Sequence, residues 1–345
     1  MKVLHLLASN KYSGAENMVC QIINLFSGEI EMLYCSPKGE IEQSLKNHNI
    51  NFRLIDKLSL KQIKQVIKEF KPDIIHAHDL RACVLASKIN GIRKIAHIHC
   101  NHSQMNKFSL RAIIAKQVFK KSNKIIWVSR ESEEKFIFKN KIKDKSLILP
   151  NIVSIENINL RKEKATLTQG YDIVYCGRLV DVKNPLRILE IARLLDDNVK
   201  IGIIGSGELK PLMQEKIKDF NLEDRVFLLG FIENPFKIIE NSKLMIMTSK
   251  TEGTPMTALE SLCLKTPIIS TAVGGMKDLI INNENGFLYE TNEEASQIIM
   301  ELMENEKHLH DLKESTIAFG YNYNNSKNYK KSLINVYNET LYQEI

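Results

Sequence analysis

Twelve short apolar runs alternate with stretches of helical periodicity along these 345 residues, and the series runs through twice. In the first pass the strand-like runs are Val3–Leu7, Ile30–Cys35, Asn51–Ile55, Asp73–His76, Lys94–His99, Lys124–Val128 and Leu147–Leu149. Residues 152–169 are polar and weakly patterned and read as a linker. The series then restarts with Asp172–Cys176, Lys200–Ile204, Arg225–Leu229, Leu244–Met247 and Pro267–Ser270. Short buried strands separated by helices build parallel sheets from βαβ units. An α/β chain of two Rossmann-like domains facing across a cleft is the simplest architecture. The expected division is 1–165 and 166–324, with a C-terminal helix over about 325–345 packing back on the first domain. Ligands of such sheets gather beyond the carboxyl ends of the strands.

Composition narrows the class. A hydrophobic share of 43% supplies ample core and excludes a disordered or fibrous chain. Cys20, Cys35, Cys83, Cys100, Cys176 and Cys263 show no paired spacing, so they read as small core residues in a reducing compartment. The start, MKVLHLLASN, reads as a first strand rather than a signal peptide. No apolar run approaches the ~20 residues needed to cross a bilayer. A cytoplasmic protein, peripheral on the inner face of the membrane, is expected.

Charge is unevenly placed. Residues 101–150 hold twelve Lys/Arg against four acids, an excess larger than the net +7 of the whole chain. Phe108, Leu110, Ile113, Ile114, Val118 and Phe119 interleave with these cations. An anionic membrane surface is the expected partner of residues 106–145. The bland alternative is a helix covering the sheet with its lysines solvated. Nucleic acid is the weaker alternative and is not expected.

Three segments carry chemistry. The first is Glu252-Gly253-Thr254-Pro255-Met256-Thr257-Ala258-Leu259-Glu260 after the strand Leu244–Met247. Thr254 reads as an N-cap and Pro255 as the first helical residue. Free amides around Pro255–Thr257, hence Thr254, Met256 and Thr257, can receive a phosphate. Carboxylates on either side, Glu252 and Glu260, can each accept from neighbouring hydroxyls. That layout suits a nucleoside diphosphate sugar. A capped surface helix with incidental acids is the competing reading. The second segment, Gly177-Arg178-Leu179-x3-Lys183-Asn184, puts Arg178 and Lys183 at a strand end, where cations stabilise a departing diphosphate. The third, Gly205-Ser206-Gly207, opens a helix but lacks the further glycine of a dinucleotide fingerprint, which argues against NAD.

The order and spacing of these segments resemble glycosyltransferase family 4, with its E-x7-E motif at Glu252 and Glu260. The frame matches too: Ser249-x2-Glu252-Gly253, Thr266-Pro267-Ile268-Ile269, Gly274-Gly275 and Asn285-Gly286-Phe287-Leu288. Leu264-Lys265 departs from it, standing where a glycine-containing turn is common. The resemblance implies the GT-B fold and a retaining transferase that needs no cofactor and no obligatory metal. Glu252 would contact the donor sugar and Glu260 the ribose. Gly205, Gly207, Phe231 and Ile232 would border the nucleotide, a uridine diphosphate. Gly14, in Ser13-Gly14-Ala15-Glu16, would lie against the diphosphate or acceptor. His99, within Ile95-Ala96-His97-Ile98-His99, would face the donor sugar, although His97 shares its strand face. Catalytic roles would thus fall to Glu252, His99, Arg178 and Lys183. The Ile95–His99 stretch and the N-terminal loop look most like those of enzymes of bacterial capsule, exopolysaccharide or O-antigen assembly, which implies a lipid-linked or other saccharide acceptor. Two alternatives stand beside this. One is a non-catalytic GT-B-shaped partner of another transferase. The other is a metal-dependent hydrolase using His76, His78, His97, His99 and His102, since HxH spacing suits zinc.

Overall fold

The computed structural model describes residues 1–100 and 102–342. The chain divides into two compact units, residues 1–152 with 326–342, and 153–325. In the first run β1 (Lys2–Leu6), α1 (Gly14–Leu25), β2 (Glu31–Pro37), α2 (Ile41–Asn47), β3 (Phe52–Ile55), α3 (Leu60–Phe70), β4 (Ile74–Ala77), α4 (Leu80–Ala86), β5 (Arg93–Ile98), α5 (Leu110–Lys120), β6 (Lys124–Trp127), α6 (Arg130–Glu134) and β7 (Ser146–Ile148). In the second run α7 (Ile155–Glu163), β8 (Ile173–Cys176), α8 (Leu186–Ala192), β9 (Ile201–Ile204), α9 (Lys210–Asp219), β10 (Val226–Gly230), α10 (Phe236–Glu240), β11 (Leu244–Met247), α11 (Met256–Cys263), β12 (Ile268–Thr271), α12 (Met276–Leu279), β13 (Gly286–Tyr289), α13 (Asn292–Glu304) and α14 (Glu306–Tyr323). Helix α15 (Ser326–Tyr342) returns to the first unit and packs on β4 and β5. The last three residues of the expected C-terminal helix, 343–345, lie outside the described residues.

Both sheets are parallel. Their orders are β3-β2-β1-β4-β5-β6-β7 and β10-β9-β8-β11-β12-β13. Strand order therefore reverses between β1 and β4 and again between β8 and β11, and a doubly wound sheet opens a crevice at such a point. Continuous burial of strands such as Leu244-Met245-Ile246-Met247 follows from helices covering both faces.

Two expectations need correction. The presumed linker is α7, and it belongs to the second unit, which begins at Val153 rather than at residue 166. Its single buried residue, Ile158, gives no apolar period, so it reads as a linker from sequence. Polar contacts fasten it instead. The Arg161 guanidinium lies 4.7 Å above the Phe236 ring, and Lys162 Nζ reaches Glu240 Oε1 at 2.8 Å. The second sheet also has a sixth strand, β13, hidden in sequence by its shortness and by the left-handed Gly286 (φ 154°) that opens it.

Helix α14 crosses α11 closely. A Cβ on Gly320 would lie 2.7 Å from the Leu262 carbonyl and 2.9 Å from the Cys263 nitrogen. Glycine costs about 1 kcal/mol against alanine in a helix interior, so the close crossing is what it serves here.

One face of the first sheet buries an unusual set of side chains. His5 on β1, His76 and His78 at the end of β4, and His97 on β5 are all inaccessible, and His99 just beyond β5 is partly so. Positions two apart on a strand share a face, so the HxH pairs stack, with ring centroids 4.2 Å apart in each. Tyr337 of α15 closes the set with its hydroxyl 3.0 Å from His76 Nδ1. Burial pushes every one of these imidazoles down, His5 to about 3 and His99 to about 4.

Two predictions follow from this packing. Gly320→Ala should lower stability by a net ~1–2 kcal/mol, because overpacking outweighs the gain in propensity. Urea denaturation checks it, and a rise in stability would contradict the close crossing. Acid should also unfold the protein steeply. Unfolded imidazoles protonate below about pH 6.5, while the buried ones stay neutral, so the unfolded state binds more protons as pH falls from there toward 4. Each such group removes about 1.4 kcal/mol per pH unit. Glu16 and Glu260, both raised by burial, act in the opposite sense but are two groups against five. The urea midpoint should be highest above pH 6.5 and drop sharply below it. A midpoint constant over that window would mean that the native imidazoles take up protons.

Candidate active site

The reversal between β8 and β11 sets the geometry of the second unit. Beyond β8 the chain passes Gly177-Arg178-Leu179 and tightens into a 3-10 turn at Asp181–Lys183, which Asn184 closes in the left-handed region (φ 48°). Thr248, just beyond β11, donates its hydroxyl to the Lys183 and Asn184 carbonyls at 3.1 and 2.9 Å. The Lys250 amide donates to the Val182 carbonyl at 3.0 Å. These bonds hold the two loops together, and Lys183 Nζ meets Glu252 Oε1 at 2.5 Å. Ser249 Oγ donates to the same oxygen at 2.6 Å. Glu252 is 7% exposed, so its carboxylate is withdrawn from water with both partners in place. Arg178, from the same loop as Lys183, is exposed.

Glycines make this packing possible. At Gly205 (φ 148°) a Cβ would lie 1.8 Å from the Gly177 carbonyl oxygen, and at Gly207 one would lie 2.2 Å from that of Leu179. The Leu179 amide donates to Ser206 O at 2.8 Å, and the Leu209 amide to Leu179 O at 3.0 Å. The loop after β9 is thus laid backbone to backbone on the loop carrying Arg178. Gly205 N also donates to Gly230 O at 2.7 Å, which brings in the segment after β10. There Phe231 is 75% exposed and Ile232 half-buried. On the other side, Gly274 (φ 55°) presses on the Glu252 backbone, where a Cβ would meet its carbonyl oxygen at 1.8 Å. Gly275 N bonds Gly253 O at 2.9 Å, and Thr271 Oγ1 bonds Ser249 O at 2.7 Å.

Helix α11 begins one residue later than the sequence implies. Pro255 is itself the N-cap, with an extended ψ of 129°, and its carbonyl accepts from Leu259. Thr254 is buried before it; Met256 is buried and Thr257 half-buried in the first turn. The amides of the first turn lack intrahelical partners by construction. Glu260 is partly buried, and burial pushes its carboxyl up to about 7 against the opposing charge of Arg161. Lys265 ends the helix at φ 61°, a conformation that explains why glycine suits this position.

In the first unit, Ser13 is the N-cap of α1 and Gly14 its first residue. The Ser13 hydroxyl donates to Glu16 Oε2 at 2.5 Å, and Glu16 is 3% exposed with its carboxyl pushed up by burial. Ser-x-x-Glu is the spacing of a capping box, a signal present in the sequence beside the loop resemblance. Asp79 accepts from the Ala8 and Ala82 amides and so ties the loop after β1 to α4. Of the two candidate histidines on β5, His97 is fully buried, whereas His99 keeps some surface at the strand's C-terminal end. His102 is exposed and caps a short 3-10 turn, apart from the stacked rings. Two triads, His5-His76-His78 and His78-His97-His99, have ring nitrogens within 4.8 Å of one another. Yet the members of each HxH pair stack within 28° of parallel, which runs their in-plane lone pairs side by side rather than toward one point. Hydrogen-bond distances of 2.9–3.2 Å link ring to ring instead.

Residues 14–157 match the family model for Glycosyltransferase Family 4, and residues 156–319 match that for Glycosyl transferases group 1. An uncharacterized glycosyltransferase of Methanocaldococcus jannaschii is 31% identical over 236 residues, covering 61% of this chain and 58% of its own. The poly(ribitol-phosphate) alpha-N-acetylglucosaminyltransferase of Staphylococcus aureus is 28% identical over 62% of this chain and 44% of its own. The chain therefore spans about half the length of these two relatives. The UDP-Gal:alpha-D-GlcNAc-diphosphoundecaprenol alpha-1,3-galactosyltransferase of Escherichia coli is 25% identical over 85% of each chain. Among solved structures, Anabaena HepE in complex with UDP superposes with a TM-score of 0.86 at 18% identity, covering 98% of this chain and 100% of its own. That likeness fixes the fold as GT-B. With both family domains present in order along 14–319, the chain belongs to the GT-B glycosyltransferases built from a family 4 N-terminal and a group 1 C-terminal domain.

Proposed function

We propose that the protein is a retaining glycosyltransferase that moves a sugar from a UDP-sugar to a hydroxyl of a lipid-linked saccharide in bacterial surface polysaccharide assembly. The observation that carries this reading is the convergence of Lys183, Ser249 and Glu252 at the β8/β11 reversal, beside the start of α11 and the exposed Arg178. HepE has been solved in complex with UDP and with UDP-glucose, and the E. coli relative is named for a diphosphoundecaprenol-linked acceptor. The donor diphosphate lies against Arg178, Lys183 and the first-turn amides of α11. Its charge competes with Glu252 for Lys183, which frees the Glu252 carboxylate to accept from the sugar hydroxyls. Glu260 accepts from the ribose hydroxyls, and Phe231 and Ile232 flank the base. The acceptor oxygen forms its bond to the anomeric carbon on the face the diphosphate leaves. The sugar–phosphate bond breaks, and the acceptor's proton passes to the departing phosphate oxygen. Negative charge grows on the leaving group as this happens, so fixed cations there stabilise the transition state more than the ground state. No metal has a necessary part.

The basic face of the first unit supports a membrane role. Phe108 and Leu110 are each 74% exposed, and Ile114 and Ile137 are exposed beside them. The Phe108 and Phe138 rings meet at 6.2 Å, so the apolar residues from both segments form one patch. Lys107 and Lys139, next to Phe108 and Phe138 in the chain, are exposed, as are Lys141 and Lys143. Apolar tips set among lysines suit anionic headgroups, at about 1 kcal/mol per basic residue.

Lys183→Ala and Glu252→Gln should each lower kcat about 10²–10³-fold, the range for removing one preorganised electrostatic group, with the fold intact by circular dichroism. Activity should persist in EDTA. Full turnover in both variants would remove the reading. Turnover that appeared only with a second protein would favour a non-catalytic partner subunit. Replacing Phe108 and Leu110 together by Ser should weaken binding to phosphatidylglycerol vesicles at least about tenfold, the loss expected for one buried large apolar side chain. Unchanged sedimentation with vesicles would sink the membrane contact.

A further inference from the structure

The loop after β10, from Gly230 to Phe236, is fastened at both ends. At its start Gly230, in the left-handed region (φ 73°), accepts at its carbonyl from Gly205 N at 2.7 Å. At its far end one residue of α7 makes three contacts. The Arg161 guanidinium donates from Nη2 to the Glu233 carbonyl at 2.6 Å. The Arg161 carbonyl lies in the last turn of α7, where carbonyls lose their regular helical partners, and it accepts from Asn234 Nδ2 at 2.6 Å. The guanidinium also covers the Phe236 ring, 4.7 Å from its centroid. Beside these contacts Glu240 takes Lys162 Nζ on one oxygen at 2.8 Å and Lys237 Nζ on the other at 2.7 Å, which ties α7 to α10. Phe231 and Ile232 stand between the two fastened ends, with Phe231 left exposed.

Helix α7 packs on α11 as well as on α10. Glu260 stands on α11, and the charge that opposes the effect of its burial is that of Arg161. One side chain therefore acts on both parts assigned to a nucleoside. It holds the base loop by hydrogen bonds, and its field acts on the carboxylate assigned to the ribose. For stability alone the arrangement is costly, since a guanidinium is drawn half out of water while a phenyl ring is left in it. A loop fixed before its ligand arrives spares the ligand the entropy of ordering it.

We propose that Arg161 is a positioning residue for the nucleoside of the donor: it holds residues 231–234 in the shape that receives the base, and it supplies the positive charge that acts on Glu260 at the ribose. This role rests on the reading that a nucleoside diphosphate sugar binds the second unit. The diphosphate belongs instead to Arg178, Lys183 and the start of α11. A nucleotide therefore depends on Arg161 through its nucleoside half alone.

The test is calorimetric titration of full-length wild type, Arg161→Ala and Arg161→Lys with UDP and with inorganic pyrophosphate. A freed loop that holds the receiving shape about a tenth of the time raises the apparent Kd about tenfold. UDP should accordingly bind Arg161→Ala at least about tenfold more weakly than wild type, while pyrophosphate, which has no nucleoside, should bind both within about twofold. Arg161→Lys keeps a cation over Phe236 and a donor for the Glu233 carbonyl, and it should recover part of the loss. Should Arg161→Ala fail to fold, Arg161→Met keeps the packing of the stem without donor or charge and should show the same split between the two ligands. A merely structural role would leave fewer sites of unchanged Kd, or would weaken both ligands alike. Either result, or an unchanged UDP affinity in the variant that folds, would overturn the role of Arg161. A wild type that binds no nucleoside diphosphate would defeat the transferase reading itself, whereas a wild type that binds UDP beside an indifferent variant defeats this role alone.

Discussion

Lys183 and Glu252 stand 69 positions apart in the chain, and their 2.5 Å contact exists because β8 and β11 are neighbours in the sheet. Parallel strands that follow one another in order send their connecting helices to one face. Only where the order reverses do two consecutive loops splay to opposite sides and leave room between them. The loops after β8 and β11 are the pair that this reversal opens. Every other feature of the second unit's site hangs on that meeting: the Thr248 hydroxyl spanning two carbonyls of the Lys183 turn, the Lys250 amide on Val182, and Gly274 pressed against Glu252 from the β12 side.

The ion pair itself is a poor investment in stability. Glu252 is 7% exposed and Lys183 21%, so both charges have lost much of their hydration, and such pairs often do no better than an apolar pair of equal volume. The surrounding glycines point the same way. Gly205, Gly207 and Gly274 each occupy a place where a Cβ would overlap a backbone carbonyl, so four loops are packed as tightly as main chain allows. Close backbone packing with a desolvated charge pair is costly if stability is the only aim. It is the arrangement expected of a site that holds charges in place before a charged ligand arrives.

Sequence carries most of this because the fold and the site are written in the same places. The seven strands of the first sheet and five of the six in the second are visible as buried apolar runs, and the motif residues stand immediately after them. What was illegible has specific physical causes. Helix α7 buries one residue, Ile158, and is fastened by a guanidinium over Phe236 and by Lys162 on Glu240, so no hydrophobic period marks it. Strand β13 is four residues long and opens on a left-handed glycine. The Thr254-Pro255 pair looks like a cap and a first turn, but the extended ψ at Pro255 moves the cap forward by one residue. The two roles of the G-x-G turn could not be separated from sequence either, since a glycine beside a ligand and a glycine beside another loop are the same letter. Here the second role is visible in the contact of Gly205 with Gly177.

The histidines show where a one-dimensional reading stops. HxH on successive strand ends suggests a metal ligand set, and nothing in the spacing reveals that His5 on β1 and Met32 on β2 complete the arrangement. Register supplies that information: His5 stands opposite His76 in the β1–β4 pairing, so β1 lays its own imidazole among those of β4 and β5. Once the rings are seen to stack, convergence on a cation is geometrically unfavourable, and hydrogen-bond distances of 2.9–3.2 Å link ring to ring instead.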